Sequence, residues 1–247
     1  MSSAVVMFPS SLSGEIRPPT AGELLAMKKS GGGLSGEAAL AMYRGCWLRD
    51  INPGPYRPGP DGKRDVLDLT TVDMQCYHDQ IRILAFGSIV EFPFQCPREA
   101  CAAHAALVPR HYDLAQFPVT PMAPEARACF ARGEPYPATV AEREIRIRFM
   151  TTSQSEEMRV ALGKDPPLSA VMAYPVVSVS GIEPAGIRDW VEQMALTDFE
   201  DLNAAVGRAH GTVDREIDVQ CETCGGIVRM DAPFAEWRRP KVTASRR

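Results

Sequence analysis

The sequence has no run of eighteen apolar residues, so no bilayer-spanning helix is expected. Met1 to Ser11 lacks both the basic stretch and the long apolar segment of a secretory signal. An excess of positive charge is missing too. The 27 Lys and Arg against 31 Asp and Glu give a net charge of −4, which argues against a chain that coats nucleic acid with a basic surface. Histidine is scarce, and its four copies, His78, His104, His111 and His210, fall in no triad-like or HExxH setting. There is no GxGxxG, and Gly31-Gly32-Gly33 lacks the lysine and the helix start that a phosphate loop needs. The paired carboxylates Glu156-Glu157 and Glu200-Asp201 sit on expected helix surfaces, where water solvates them. These absences point to a non-enzymatic chain with no small-molecule substrate and no membrane span.

Cysteine, by contrast, is present in quantity. Seven copies, an odd number in a chain without a secretory signal, imply reduced thiols rather than a disulfide framework. The most informative stretch is Glu216 to Met230, EIDVQCETCGGIVRM. An alternating strand runs into Cys221-Glu222-Thr223-Cys224, Gly225-Gly226 allows a tight turn, and a second apolar run leaves. That is the pattern of a metal knuckle, with two thiolates at a hairpin tip. A structural Zn²⁺ takes four ligands, and Cys96 and Cys101 in EFPFQCPREACAAH are the candidates for the other pair. His104, three residues past Cys101, is the obvious substitute ligand, though a surface histidine is the favoured reading. Four cysteine ligands leave no open coordination position, so such a zinc is structural. Cys46, Cys76 and Cys129 stand singly and read as small buried hydrophobes. A redox dithiol is the competing reading of C-x-x-C, but it places its first cysteine at a helix N-terminus, whereas IVRM reads as strand.

Periodicity gives an α+β fold, helices plus short, mostly antiparallel strands. Ala4 to Phe8 reads as a strand, Ala21 to Lys29 as a helix, and Gly36 to Arg49 as a helix with Leu40, Tyr43 and Trp47 on one face. The Pro- and Gly-rich residues 51–62 and the Pro-rich residues 115–139 read as loops. Thr70 caps a helix that Gly87 ends, and Val90, Phe92 and Phe94 alternate into a strand that Pro93 assigns to a sheet edge. Glu142 to Phe149 and Val171 to Val179 read as strands, Gln154 to Leu162 as a short helix. Pro184 opens a helix with Ile187, Trp190, Val191 and Met194 on one stripe, and Thr197 with Glu200 has capping-box spacing for the next. The segments are then 1–65, helical and loop; 66–114, a helix–strand–cysteine unit; 115–182, a Pro-rich connection with central strands; 183–240, a second such unit; and 241–247, a basic tail.

The two units align without a gap at an offset of 125, with Asp73 over Asp198, Ile81 over Val206, Glu91 over Glu216, Gln95 over Gln220 and Cys96 over Cys221. Two pseudo-repeated helix–strand–knuckle units, each giving two thiolates to one structural zinc, are the expected plan.

Several short motifs carry a family resemblance. They are Pro9-Ser-Ser-Leu-Ser-Gly-Glu-Ile-Arg17-Pro18; Cys46-Trp47-Leu48 followed by Asn52-Pro53-Gly54-Pro55-Tyr56; Asp79-Gln-Ile-Arg-Ile-Leu-Ala-Phe-Gly87 leading to EFPFQCPREAC; and, more loosely, IRDWVEQM and the closing CETCGG. With these the chain resembles the T-even-type phage baseplate protein family of contractile-tailed phages and related extracellular contractile injection systems. It departs at VDMQ around Asp73 and in the four-residue spacing between Cys96 and Cys101. The resemblance implies a structural or assembly component of the baseplate hub region, without catalysis, whose partners are other baseplate, hub and tail proteins. Such a protein works in the cytoplasm of the producing cell during assembly and is either released or retained in the particle. The Pro-rich loops are then the expected partner surfaces. The alternative is a zinc-ribbon nucleic-acid binder using the knuckle and the basic tail. Against it stand Asp214, Glu216, Asp218, Glu222 and Asp231 around the knuckle.

Overall fold

In the computed structural model, which describes residues 3–29, 37–55, 62–105, 107–163 and 165–231, the chain opens with a three-stranded antiparallel sheet. Strands β1 (Ala4–Met7) and β2 (Ser13–Ile16) pair directly. Helices α1 (Ala21–Lys29) and α2 (Glu37–Cys46) intervene before β3 (Trp47–Asn52) returns to the other side of β2. The helix expected over 36–49 therefore stops at Cys46. Trp47 does continue the apolar face of α2, but the free edge of β2 captures its backbone, opposite Ile16. Gly14 makes this possible, because a Cβ there would lie 2.4 Å from the Trp47 ring. Trp47 is 1% exposed, stacks on Phe8 at 5.7 Å and meets Tyr77 edge-on at 5.3 Å.

That Tyr77 belongs to α3 (Thr71–Phe86), the longest helix among the described residues. The Thr70 hydroxyl accepts from Asp73 N at 3.1 Å, as its N-cap position predicts, and Gly87 at φ 85° ends the helix. Asp73 is fully buried and accepts from both Ser10 N (3.1 Å) and Ser10 Oγ (2.5 Å), so the N-terminal turn is fastened to the helix start.

One turn further along, the Tyr43 hydroxyl meets His78 Nδ1 at 2.6 Å. Burial first, then the positive charges of Arg215 and Arg82, drop the His78 pKa from 6.5 to about 4. The unfolded imidazole binds its proton near 6.5 and the folded one only near 4, so the unfolded chain holds more protons between those values. Stability is full above pH 6.5 and falls as pH drops towards 4, by about 2 kcal/mol between pH 7 and pH 5. Urea unfolding at both pH values should show that loss in the wild type and not in His78→Gln. The comparison cancels carboxylates common to both proteins, among them Asp73 and Asp79, which burial raises and which act with the opposite sign. Equal losses in the two proteins would refute the assignment.

After α3 come β4 (Ile89–Phe94) and β5 (Val108–Asp113), a two-stranded hairpin in which Pro93 faces Pro109. Among the described residues each strand thus keeps one free edge, as Pro93 requires. A short β6 (Val119–Thr120) follows. The expected loop 115–139 then contains α4 (Pro124–Arg132) and the start of β7 (Tyr136–Val140). Here the prolines punctuate helix ends rather than exclude helix. Pro124 stands in the first turn, where its missing N–H costs nothing, and Gly133 closes the helix in the left-handed region at φ 70°.

Strand β8 (Arg143–Ile147) pairs with β7 and buries Ile145 and Ile147, with Glu144 and Arg146 outward. Helix α5 (Thr152–Leu162) begins with a complete Thr151/Gln154 capping box. The strand expected over 171–179 is divided. Leu168–Ala173 is helix α6, Pro175 separates the two, and only Val176–Val179 forms β9, on the far side of β8.

Helix α7 (Ile187–Glu192) follows a turn opened by Pro184 and buries Ile187 and Val191. Helix α8 (Leu196–His210) starts one residue before Thr197, with Ala195 at the cap position, so the expected Thr197/Glu200 capping box does not form. Strand β10 (Thr212–Val213) pairs with β6, and the hairpin β11 (Glu216–Gln220) and β12 (Ile227–Asp231) ends the described chain.

Two apolar clusters result. The larger joins the N-terminal sheet, α2, α3, α4, α8 and the inner face of β7–β8–β9. The smaller is built from Val90, Phe92 and Phe94 of β4, Ile217 and Val219 of β11, Leu114 and Phe117, and it ends on three cysteines. The fold is mixed α+β with small antiparallel sheets. Among the described residues no helix is long and apolar enough to cross a membrane.

Candidate metal centre

The alternation that buries Phe92 and Phe94 fixes where the β4 hairpin delivers its loop. Two residues past the strand, Cys96 enters a loop closed by Cys96 N→Ala103 O (3.3 Å), Cys101 N→Arg98 O (2.9 Å) and His104 N→Cys101 O (2.8 Å). The β11–β12 hairpin has the tighter tip. Cys221 N donates to Gly226 O (2.9 Å), Gly225 N donates back to Cys221 O (2.8 Å), and Gly225 takes φ 69°. A side chain at Gly225 would be strained in that left-handed conformation.

The two tips face one another and bring together all four cysteines expected from the sequence. Cys96 Sγ lies 3.8 Å from Cys224 Sγ, and Cys101 Sγ lies 3.7 Å from Cys221 Sγ. All four sulfurs lie within 4.8 Å of one another. A tetrahedral ion with metal–sulfur bonds of about 2.3 Å puts its sulfurs about 3.8 Å apart, so the donor set fits a four-thiolate ion. Cys96, Cys101 and Cys221 are buried and Cys224 is exposed.

Backbone amides complete the surroundings. The N–H of Arg98 points at Cys96 Sγ, that of Ala103 at Cys101 Sγ, and those of Cys224 and Thr223 at Cys221 Sγ. Each hairpin therefore aims amides from two or three residues ahead at its own sulfurs, a geometry that favours the anionic, metal-binding form. At Cys221 these amides, the Cys224 N–H first, draw the thiol down to about 6. Cys101 is held up at about 12: the Ala103 amide lowers it, but burial and the adjoining sulfurs outweigh that donor. Without an ion, four crowded sulfurs cannot all be anions at neutral pH, and a divalent cation removes that conflict.

His104 is not drawn into the cluster. Its Nδ1 lies 2.8 Å from Cys96 O, so it braces the loop instead. Gln95 Nε2 donates to His104 O at 2.6 Å, and Gln220 Nε2 reaches Gly225 O at 3.4 Å, so a glutamine before the first cysteine ties down each tip.

Sequence reasoning missed a clamp between the hairpins. Arg98 lies over Gly226, where a Cβ would come within 2.5 Å of its guanidinium carbon. Arg110 packs over Phe94 at 5.8 Å and pairs with Glu222 at 3.1 Å. The second glycine of the knuckle was the available signal, since only Gly225 serves the turn while Gly226 admits a neighbour.

Glu216 and Asp218, counted as acidic surroundings, both approach Arg229 Nε, at 3.2 and 3.4 Å. The three single cysteines lie elsewhere. Cys46 is in the larger core, where burial lifts its thiol to about 12, burial does the same to Cys76, and Cys129 is buried in α4. Residues 56–61 of the first Pro-rich loop and the basic tail from Arg238 lie outside the described residues. Compared with protein-family models, with curated proteins and with solved structures, the chain finds no match.

Proposed function

We propose that this chain is a non-enzymatic structural or assembly component of the baseplate hub region in a contractile phage tail or related injection system. It is stapled by a structural Zn²⁺ on Cys96, Cys101, Cys221 and Cys224. The observation that carries the reading is the closed quartet of sulfurs at tetrahedral spacing, which spends every coordination position on the protein. Such an ion supplies a rigid cross-link and no reactive position. The zinc then joins two related units, because the offset of 125 relates more than the cysteines. Thr71 opens α3 and Leu196 opens α8 at that offset, and Gln95 and Gln220 brace their tips at it. The motif resemblance in the N-terminal half supplies the system, and its neighbours there are other baseplate, hub and tail proteins.

The partner-binding surface in this reading includes the loop between β3 and α3. Asn52 to Gly54 anchor its near end, through Asn52 Nδ2→Ser11 O at 2.7 Å and Gly54 N→Asn52 Oδ1 at 3.3 Å, so a clean test leaves them in place. Replacing residues 56–61 with a Gly-Ser segment of equal length should abolish co-purification with co-expressed hub and tail proteins while the metal content stays unchanged. Capture of those proteins by the replaced chain would clear the loop as the interface. A wild-type chain that captures no tail protein, but binds DNA or RNA with a steep salt dependence, would replace this reading with the zinc-ribbon alternative.

A further inference from the structure

An edge strand exposes unpaired backbone donors and acceptors, and most of the described edges are guarded. Proline stands in β4, β5 and β7 (Pro93, Pro109 and Pro137), and β11 and β12 present Glu216, Asp218 and Arg229. β9 runs into a turn in which Val179 bridges Ile182. On β3, Lys63 Nζ covers the Trp47 carbonyl at 3.3 Å. β1 is different. Ala4-Val5-Val6-Met7 has neither charge nor proline, and among the described residues no strand lies on the side away from β2. Its outward side chains are apolar and bare, Val5 at 64% exposure and Met7 at 78%. We propose that β1 is a docking edge for the same strand of a second copy of this chain, joining two three-stranded sheets into one of six. The proposal rests on the fold alone and needs neither the metal nor the baseplate reading.

Register and charge select that occupant. Directly opposed residues of an antiparallel pair share a face, so the register must keep Val6, which packs on the larger core, on the core side of both copies. A two-fold centred on Val5 sets Met7 against Ser3 of the second copy, whose hydroxyl already donates to Glu15 at 2.5 Å. Centring on Met7 sets Val5 against Pro9 of the second copy. Centring on Val6 sets Val5 against Met7 of the second copy and Met7 against its Val5, so four apolar side chains form one strip. Glu15, opposite Val5 on β2, borders that strip and pairs with Arg49 at 2.6 Å. The charges beside the edge are thus neutralised within each copy, and two uncharged strands meet without repulsion. The two-fold also forms every contact twice. An edge of four residues buries well below the roughly 1,200 Å² of a tight complex, so the dimer is weak, with a Kd of about 0.1–1 mM.

Sedimentation equilibrium of the full chain from about 0.02 to about 2 mM should show a monomer–dimer equilibrium with that Kd. Met7→Lys, at a side chain the fold leaves in water, should weaken it about tenfold with Tm unchanged, and Met7→Leu should keep it. In hydrogen exchange at about 2 mM, the protection gained over the dilute protein should fall on residues 4–7. A monomer throughout that range would overturn the proposal. So would a dimer that Met7→Lys leaves intact, or one whose added protection lies elsewhere, since the contact would then use another face. Protection of residues 4–7 that appears only with a co-expressed hub or tail protein would give the edge to a foreign strand. That result would overturn the second copy as occupant while supporting the baseplate reading.

Discussion

Cys221→Ser is expected to purify without metal, whereas the wild type and Cys76→Ser carry about one zinc per chain. The serine removes one of the four expected ligands, a sulfur that two backbone amides favour as an anion. Structural zinc contributes on the order of 10 kcal/mol to the folding of the segment it closes, comparable with the whole stability of a domain. The loss should stay local. The hairpins share a small apolar cluster of their own, separate from the larger core of the N-terminal sheet and α2, α3, α4 and α8. In hydrogen exchange, residues 89–113 and 216–231 should lose protection in Cys221→Ser or after chelation, while α3 and α8 keep theirs. A wild-type chain that is fully protected in those hairpins and free of metal would end the zinc reading.

The quartet was legible because paired cysteines at metal-ligand spacing leave a mark in the sequence. Two short cysteine pairs, each behind an alternating strand, are hard to place otherwise, and the strand phase carried the partnership over more than a hundred residues. What failed to show was decided by contacts that local pattern does not record. β2 is Ser13-Gly14-Glu15-Ile16, with weak strand propensity, and it exists because Gly14 admits the Trp47 ring. Trp47 itself fits the helical stripe of α2, so nothing in the spacing marked the change to strand at Cys46. In 115–139 proline density argued against helix, yet Pro124 and Gly133 are the residues that start and stop α4. Thr197 had capping spacing, but α8 begins earlier. The clamp of Arg98 on Gly226 and of Arg110 on Glu222 joins residues that only the folded hairpins bring together.

The same dependence on tertiary contact gives the second large effect, at the root of the first Pro-rich loop. Asp50 and Arg64 lie on the two sides of that loop, with side chains 8% and 1% exposed. Arg64 donates through Nε to Asp50 Oδ1 (3.0 Å), through its own N to Oδ2 (3.0 Å), and through Nη2 to the Pro53 carbonyl. Trp47 Nε1 donates to the same carboxylate at 3.1 Å, and the guanidinium lies 5.9 Å from the Trp47 ring centre. Asp50→Ala removes the acceptor of three donors and takes the Asp50 carboxylate from a buried guanidinium. Breaking a buried pair on one side costs about 3–5 kcal/mol, which for a chain of this size lowers Tm by about 10 °C. Because a buried charge deprived of its paired carboxylate is the main cost, Asp50→Ala combined with Arg64→Met should recover much of the loss. Tm and Trp47 fluorescence would follow both variants. A shift of less than about 2 °C for Asp50→Ala would mean that water reaches the pair and the loop root is soft. Since the cysteine hairpins share neither residue, metal content should stay at the wild-type value in both variants. Partner capture should fall with Asp50→Ala and return with the double variant, if the loop acts from a fixed base.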